Sequence, residues 1–249
     1  MNKFHSFNKF KISIFSGLFL GLCLFSYGQS AVETTKTDTP SKTQTVKVSP
    51  QKFRIGAQAG YGYRIARIQN SSDDPVMQDH LEKLKHNLSF GADLSYYFTN
   101  FIGVGIKYNA IVSHVVTNDI TYHFADGDKK YNYLSELVDI HYFAPLFTTQ
   151  FFTLPHKQCL FANAGAGYVL YRRNAMLFKQ GKVPETQEIA NTFKHSAAFF
   201  AEIGYDFFVS KHFAIGLQTS LLVEFKKGKW VEPENLSHID ISLGFRFYK

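Results

Sequence analysis

The stretch FRIGAQAGYGYRIA, residues 53–66, separates its side chains into two unlike sets that alternate along the chain. The odd positions, from Phe53 to Ile65, carry aromatic, aliphatic and alanine side chains. The even positions up to Arg64 carry glycine, one glutamine and two arginines. A period of two is that of a β-strand, whose successive side chains point to opposite faces. The stretch therefore predicts a strand with one apolar face and one face of small and cationic residues.

Seven further segments repeat this alternation between residues 88 and 247. Each sets apolar residues at every second position against a set rich in glycine, serine and single charges. The fourth segment, VDIHYFAPLF, is predicted to place Val138 to Leu146 on the apolar face and Asp139 and His141 on the polar face. The apolar sets begin at Leu88, Ile102, Val138, Leu160, Phe199, Phe213 and Ile239.

Long and short connections alternate strictly between these strands. The short ones are Thr99-Asn100, TLPHK and a few residues around 210–212. The long ones are residues 69–87, a stretch centred on ADGDKK, residues 172–192 and residues 227–235. Membrane barrels combine short periplasmic turns with long outer loops in this order. The sequence therefore predicts an all-β, eight-stranded antiparallel up-and-down transmembrane β-barrel over residues 53–249.

The composition of the polar face favours a membrane barrel over a soluble sandwich or lipocalin-type barrel. A face in water usually carries abundant Lys, Glu and Thr, whereas glycine, serine and asparagine with single charges suit a crowded interior. The apolar face is then predicted to contact lipid, and the interior charges to pair across the lumen. These charges are Arg54, Arg64, Lys107 and Arg246 with Asp93, Asp139, Glu202, Asp206, Glu224 and Asp240.

Aromatic residues cluster at the short-turn ends of most strands, which is typical of the girdles at a membrane-water boundary. The residues predicted for this girdle are Tyr96, Tyr97, Phe98, Phe101, Phe151, Phe152, Phe207, Phe208, Phe213, Phe247 and Tyr248.

The N-terminus reads as an export signal followed by a tether. Three lysines in the first eleven residues precede the uncharged run ISIFSGLFLGLCLF, which predicts a signal peptide over residues 1–28 with cleavage before Gln29. Leu22 directly before Cys23 disfavours a lipoprotein site. Residues 29–52 are rich in Thr, Ser, Lys and Pro and are predicted to be a disordered periplasmic tether. The expected location is the cell outer membrane.

Charge and cysteine content exclude some classes of function. The net charge of +7 falls to +4 without the three lysines of the leader, and acidic residues are interspersed, so nothing predicts a nucleic-acid partner. Cys159 is the one cysteine of the predicted mature chain and cannot close an internal disulfide.

Several of these segments resemble a known family. IGAQAGYGY, VDIHYFAPLF with Pro145, ANAGAGYVL, AEIGYDFFVSKHFAIGL and ISLGFRFYK look like the small outer-membrane β-barrel proteins of Bacteroidota, often called PorT-like. The resemblance covers residues 53–249. It implies a porin-family type of barrel but no particular activity, because the same architecture serves many roles. The terminal Lys249 departs from the aromatic residue on which such barrels commonly end.

No catalytic, cofactor or metal site is predicted. The serine and histidine candidates stand in adjacent pairs, and adjacent residues of a strand point to opposite faces, so none forms a nucleophile and base by itself. The ten histidines are scattered without HExxH spacing, and His141 is interpreted as a loop or lumen residue. The pairs are Ser113-His114, His195-Ser196 and Ser237-His238, with Asp119 or Glu136 nearby.

The sequence therefore predicts a structural, binding or envelope and secretion assembly role without an open pore, since eight strands leave no water channel. A surface adhesin and a lipid A-modifying enzyme are the alternatives. Expected partners are outer-membrane lipid and lipopolysaccharide, envelope or secretion proteins, and the barrel-assembly machinery during insertion. Function is expected in the loops at residues 69–87, 116–130, 172–192 and 226–235, where Trp230 stands beside three lysines, and a projecting hairpin is predicted around ADGDKK.

Overall fold

The chain forms one closed antiparallel sheet. The computed structural model describes residues 51–65, 74–124, 127–153, 157–179, 185–225 and 236–249, so the predicted signal peptide and nearly all of the tether lie outside it, and their boundaries stay predictions. Each strand pairs with the next, and the first also pairs with the last, which confirms the predicted eight-stranded up-and-down barrel. The strands are β1 (Phe53–Arg64), β2 (His86–Tyr97), β3 (Ile102–Phe124), β4 (Gly127–Phe152), β5 (Gln158–Lys179), β6 (Glu185–Phe208), β7 (Phe213–Phe225) and β8 (His238–Tyr248).

One helix, α1 (Pro75–Lys83), lies in the first long connection, residues 69–87. The side chain of Asp74 accepts a hydrogen bond from the Val76 amide at 2.9 Å, and proline occupies the first helical position, where its missing N–H costs nothing. No helix among the described residues is long and apolar enough to cross a membrane.

The two faces of the sheet are assigned as predicted in seven of the eight strands. Ile241 and Phe245 on β8 are 63% and 61% exposed on the outside, whereas Arg54 and Arg246 are almost fully buried in the lumen. Side chains of this apolar character on the outside of a closed barrel are suited to contact with lipid.

The prediction for β4 was wrong, because its two faces are exchanged. Ala144 and Leu146 are buried in the lumen, whereas Asp139 and His141 lie outside in line with Phe143. The sequence could not show which face of β4 points to the lumen, because both faces are apolar. The larger phenylalanines occupy the outer side. Asp139 is therefore not an interior charge, and His141 is neither a loop nor a lumen residue.

The interior is polar only in part, which also corrects the sequence-based expectation. A buried apolar cluster lines the inside of β3–β6 and the half of the lumen toward the long connections. Its members are Leu84, Ile111, Val115, Val138, Ile140, Tyr142, Ala144, Leu146, Val169, Tyr171, Ala198, Phe200, Leu222 and Leu236.

Strand length divides the barrel into two halves. β1, β2, β7 and β8 have 11 to 13 residues, close to the ~9–11 that a tilted strand needs to cross a membrane. β3 to β6 have 22 to 26 residues and therefore continue well beyond the other four. This four-stranded extension is called the projecting sheet below.

The projecting sheet consists of two hairpins, of which the sequence predicted one. The hairpin of β3 and β4 is confirmed, although residues 125 and 126 at its tip lie outside the described residues. Residues 172–179 and 185–192 were expected to be loop but continue β5 and β6. This part of β6 has mainly polar and exposed side chains, so no apolar period marks it as strand, and pairing with β5 decides its structure.

Candidate functional surface at the long-connection end

The lumen near the short turns is filled by a network of paired charges. Arg54 donates to Asp93 at 3.1 Å, and Lys107 and Arg246 contact Glu202 and Asp206, so three pairs form among the charges predicted for the interior. Except for Asp139, the remaining predicted interior charges are also buried, but they lie toward the long connections.

Both arginines of this network contact one phenylalanine. The guanidinium groups of Arg54 and Arg246 each lie 4.4 Å from the ring centroid of Phe161. Gly204 provides the space for this ring, because a Cβ atom there would come within 2.2 Å of it. Cations over an aromatic face are stabilised by the ring quadrupole, so Phe161 stabilises both charges inside the lumen.

The short-turn end is closed by aromatic side chains. The rings of Phe152, Phe208 and Tyr248 contact one another with centroids 4.9 to 6.1 Å apart, and the Tyr97 hydroxyl lies 3.0 Å from that of Thr148. Phe152 and Phe208 were predicted for the girdle but point inward, and Tyr97 and Tyr248, also predicted for it, are buried inside. Their hydroxyls find partners in the polar lumen, which an outward position in lipid would not supply. The predicted girdle residues that are exposed outside are Tyr96, Phe98, Phe101, Phe207 and Phe213.

Helix α1 covers the opposite end of the barrel. Leu81 and the following Leu84 pack on the apolar lumen cluster, and Met77 packs on a second cluster on the inner face of the projecting sheet. His80 is fully buried between them. The residues at 77, 80, 81 and 84 follow the spacing of one helical face, so the helix rests on the sheet along its length. The second cluster contains Ile120, Tyr131, Leu134, Ala175 and Leu177.

A polar contact fixes the helix to the sheet. His80 Nδ1 lies 2.8 Å from Thr117 Oγ1, and its Nε2 lies 3.4 Å from Glu136 Oε2. Arg173 donates from Nε to Glu136 Oε1 at 2.7 Å and from Nη2 to Oε2 at 3.1 Å. Burial by itself raises the pKa of Glu136, but the hydrogen bonds from His80 and Arg173 outweigh burial and hold the pKa below its ordinary value.

Glu136→Gln is expected to loosen helix α1. The amide keeps the size of the side chain but removes the charge, and charge-assisted hydrogen bonds contribute roughly 1.5–3 kcal/mol each. Hydrogen exchange of the backbone N–H groups of helix α1 after Pro75 should therefore become about tenfold or more faster. Asp79→Asn on the exposed side of the same helix, where Asp79 pairs with Lys83 at 2.5 Å, is the control and should change little.

The same contact predicts a dependence on pH. Because the folded-state pKa of Glu136 is lowered, its contribution to stability is complete above the ordinary glutamate pKa of about 4.3 and is lost as the pH falls through the lower folded value. Helix protection relative to Glu136→Gln should decline over that range. Equal exchange in both proteins at neutral pH would contradict the assigned role of Glu136.

The serine and histidine candidates from the sequence do not form one site. Ser113 faces the lumen side and donates to the His86 carbonyl at 3.0 Å, whereas Ser196 Oγ is buried without a partner among the described residues. His238 is buried, with Nδ1 2.8 Å from the Leu236 carbonyl oxygen. Asp119 is exposed, with a positive φ of 54°. Within the described part of the chain, no cluster of residues could hold a metal ion.

One serine-histidine contact was missed from the sequence. His114 Nε2 on β3 lies 3.1 Å from Ser135 Oγ on β4, on the outside of the projecting sheet. No carboxylate of a described residue pairs with His114, so the orienting acid of a hydrolase triad is not in place there. The pair depends on the strand register, which the sequence does not specify.

Three tyrosine-histidine contacts on the outside of the barrel were also missed. The Tyr108 hydroxyl lies 2.9 Å from His141 Nδ1, whereas the sequence analysis had placed His141 in a loop or the lumen. In each pair the histidine lies diagonally across the neighbouring strand, two residues before the position opposite the tyrosine. The pairs are Tyr61–His86, Tyr108–His141 and Tyr168–His195.

Comparison with known proteins finds similar structures but no sequence relative. No protein-family profile and no curated protein matches the chain. Neisserial surface protein A has 12% identity and a TM-score of 0.46, over 79% of this chain and 97% of its own. Ail of Yersinia pestis, in complex with the heparin analogue sucrose octasulfate, has 10% identity and a TM-score of 0.41, over 79% and 98%. The N-terminal β-barrel domain of Pseudomonas aeruginosa OprF has 11% identity and a TM-score of 0.35, over 79% and 97%.

Proposed function

We propose that this protein is an outer-membrane β-barrel without an open pore, and that its projecting sheet is a binding surface in an adhesive or envelope and secretion assembly role. The observation that carries the proposal is that the lumen is filled while half of the strands extend beyond the barrel. The lumen is filled by paired charges, aromatic side chains and an apolar cluster, while half of the strands continue beyond the membrane-spanning length. A filled barrel with an extended rim is suited to binding at the rim rather than to conduction.

The outside of the barrel supports a membrane location. Apolar side chains cover it, and exposed aromatic rings stand at the short-turn end, as in the belts of membrane barrels. The orientation with the long connections outward follows the usual arrangement of such barrels. Membership of the PorT-like family stays a prediction that rests on the sequence resemblance.

The outer face of the projecting sheet supports a binding role. Val116 on β3 is 50% exposed and Phe193 on β6 is 60% exposed, among polar and charged neighbours such as Asn191 and Arg172. Exposed aromatic and aliphatic groups rimmed by polar residues are typical of protein interaction surfaces.

Co-purification tests the proposal. The tagged full-length protein is extracted from its native membrane in mild detergent, and mass spectrometry identifies what remains bound. We expect a stoichiometric partner that is lost in the double variant Val116→Asp and Phe193→Asp but kept in Thr186→Asp, which adds a charge at an exposed polar position of the same sheet. Purification alone from its native membrane would contradict an assembly role.

Conductance tests the absence of a pore separately. The purified protein in a planar bilayer should give no steady open-channel current, because buried side chains fill the lumen. A stable current that scales with the number of inserted molecules would overturn this part of the proposal.

A lipid A-modifying activity is the second candidate, which the His114–Ser135 contact favours. An acyl transfer would use Ser135 as nucleophile and His114 as base. Deletion of the gene and the variant Ser135→Ala should then change the mass spectrum of lipid A in the same way. An unchanged spectrum after deletion would remove this alternative.

A further inference from the structure

Two histidines and an arginine surround Leu170 on the outside of the barrel. His141 on β4 and His195 on β6 both lie directly across from Leu170 on β5. Arg172 points to the same side because it lies two residues further along β5. Directly opposite residues have Cβ atoms about 5 Å apart and diagonal ones about 7–8 Å, so the three polar side chains can reach one small ligand.

The tyrosine contacts orient the two imidazoles. The hydroxyls of Tyr108 and Tyr168 contact Nδ1 of His141 and of His195. An imidazole whose Nδ1 accepts from the hydroxyl carries its proton at Nε2. In that tautomer His141 and His195 each present an N–H donor at Nε2, which forms no hydrogen bond with a described residue.

The guanidinium group of Arg172 is available at the same place. Arg172 is exposed and makes no hydrogen bond or ion pair with any residue that the structure describes. Asp139 lies directly across the strand from Arg172, but no ion pair joins them. The charged groups at this place are thus one arginine and one carboxylate, beside two imidazoles.

This cluster lies at the height where the membrane should end. A tilted strand crosses with about 9–11 residues, and His141, Leu170 and His195 lie one to three residues beyond that count from the short-turn ends of β4, β5 and β6. Below it, Phe143 and Tyr168 continue the apolar outside of the barrel. A ligand bound here would have its polar part at the boundary and its apolar part along the strands.

We propose that His141, His195 and Arg172 bind the phosphate group of a lipid, with the acyl chains against Phe143 and Tyr168. An arginine fork matches two phosphate oxygens, and each imidazole N–H donates to one more. The inference rests on the proposed membrane location but does not require a protein partner for the projecting sheet.

Native mass spectrometry of the full-length protein in detergent, with added phosphatidic acid or diacylglycerol of the same acyl chains, tests the site. The wild type should retain phosphatidic acid in preference to diacylglycerol. Arg172→Gln should lower its affinity for phosphatidic acid about tenfold, equivalent to about 1.4 kcal/mol. Arg172→Lys should lose less because it keeps the charge, and Asp139→Asn should bind more tightly because it removes the competing carboxylate.

The variant His86→Phe is the matched control. It removes the same tyrosine contact, that of Tyr61, from the β1–β2 hairpin, away from Arg172. The double variant His141→Phe and His195→Phe should lose the preference for phosphatidic acid, whereas His86→Phe should keep it. An equal loss of the preference for phosphatidic acid in the double variant and in His86→Phe would overturn the site. Equal retention of phosphatidic acid and diacylglycerol by the wild type would also overturn it.

Two controls distinguish lipid binding from the binding of free phosphate and from loss of folding. Inorganic phosphate at the concentration of the lipid should not displace it, because the acyl chains contribute to binding; displacement would overturn the assignment to a lipid. Each variant should keep the faster migration of a folded barrel on unheated denaturing gels. A folded protein without the phosphate preference refutes only this inference, whereas absence of the protein from the membrane fraction refutes the proposed location.

Discussion

Glu202→Leu is expected to lower the free energy of unfolding by about 3–5 kcal/mol, because removal of one member of a buried ion pair leaves the other charged and unpaired. The Lys107 ammonium group and the Glu202 carboxylate are both fully buried. Glu202 also accepts hydrogen bonds from Asn163 at 2.7 Å and Gln218 at 2.8 Å, so three donors lose their acceptor together. Urea unfolding in phosphatidylcholine vesicles, followed by gel migration, measures the effect.

The double variant Lys107→Met and Glu202→Leu distinguishes the cost of an unpaired buried charge from the cost of altered side-chain packing. Removing both charges should cost clearly less than the sum of the two single changes, since neither charge is then left unpaired in the lumen. Asp79→Asn, which breaks the exposed pair of Asp79 with Lys83, should cost at most about 0.5 kcal/mol. Additive effects of the two lumen changes would show that Lys107 and Glu202 do not stabilise each other.

Leu217→Arg is expected to destabilise the inserted barrel by about 2–4 kcal/mol, the range for an arginine on the lipid face at the bilayer centre. Leu217 lies in the middle of β7 and is 59% exposed on the outside. Phe213→Arg is the matched control. Phe213 begins the same strand at the short-turn end, points to the same side and is 55% exposed.

The control should cost about 0–1 kcal/mol, because the penalty for a charge falls toward the interface. Both variants are compared by urea unfolding in the same vesicles. If the two cost the same, or if Leu217→Arg is harmless, this face does not contact the hydrocarbon core and the proposed membrane location is wrong.

The fold could be predicted from the sequence wherever the two faces of a strand differ in chemistry. In β1 the arginines and glycines alternate with aromatic residues, so the side that faces the lumen is unambiguous. In β4 one face carries Ile140 and Tyr142 and the other Phe143 and Phe147, and hydrophobicity alone gives no phase. Side-chain volume decides there, because the barrel interior has limited space.

The surface at the long-connection end could not be predicted because its contacts join distant parts of the chain. Glu136 was named as a candidate acid, but its partners His80 and Arg173 belong to α1 and β5. The contact of His114 with Ser135 likewise requires the register of β3 on β4. A shift of one residue would separate each pair, and nothing in the local sequence specifies that register.

The unequal strand lengths give the protein a front and a back within the plane of the membrane. The four long strands are consecutive, so the projecting sheet stands over one side of the barrel, and the strands of the opposite side are shorter. A neighbour that approaches laterally from the β3–β6 side meets the outer face of the projecting sheet, whereas one that approaches from the other side does not. Rotation of the barrel about the membrane normal therefore changes which surface its neighbours contact. An array of molecules that contact one another through the projecting sheet would fix the rotational orientation of each molecule.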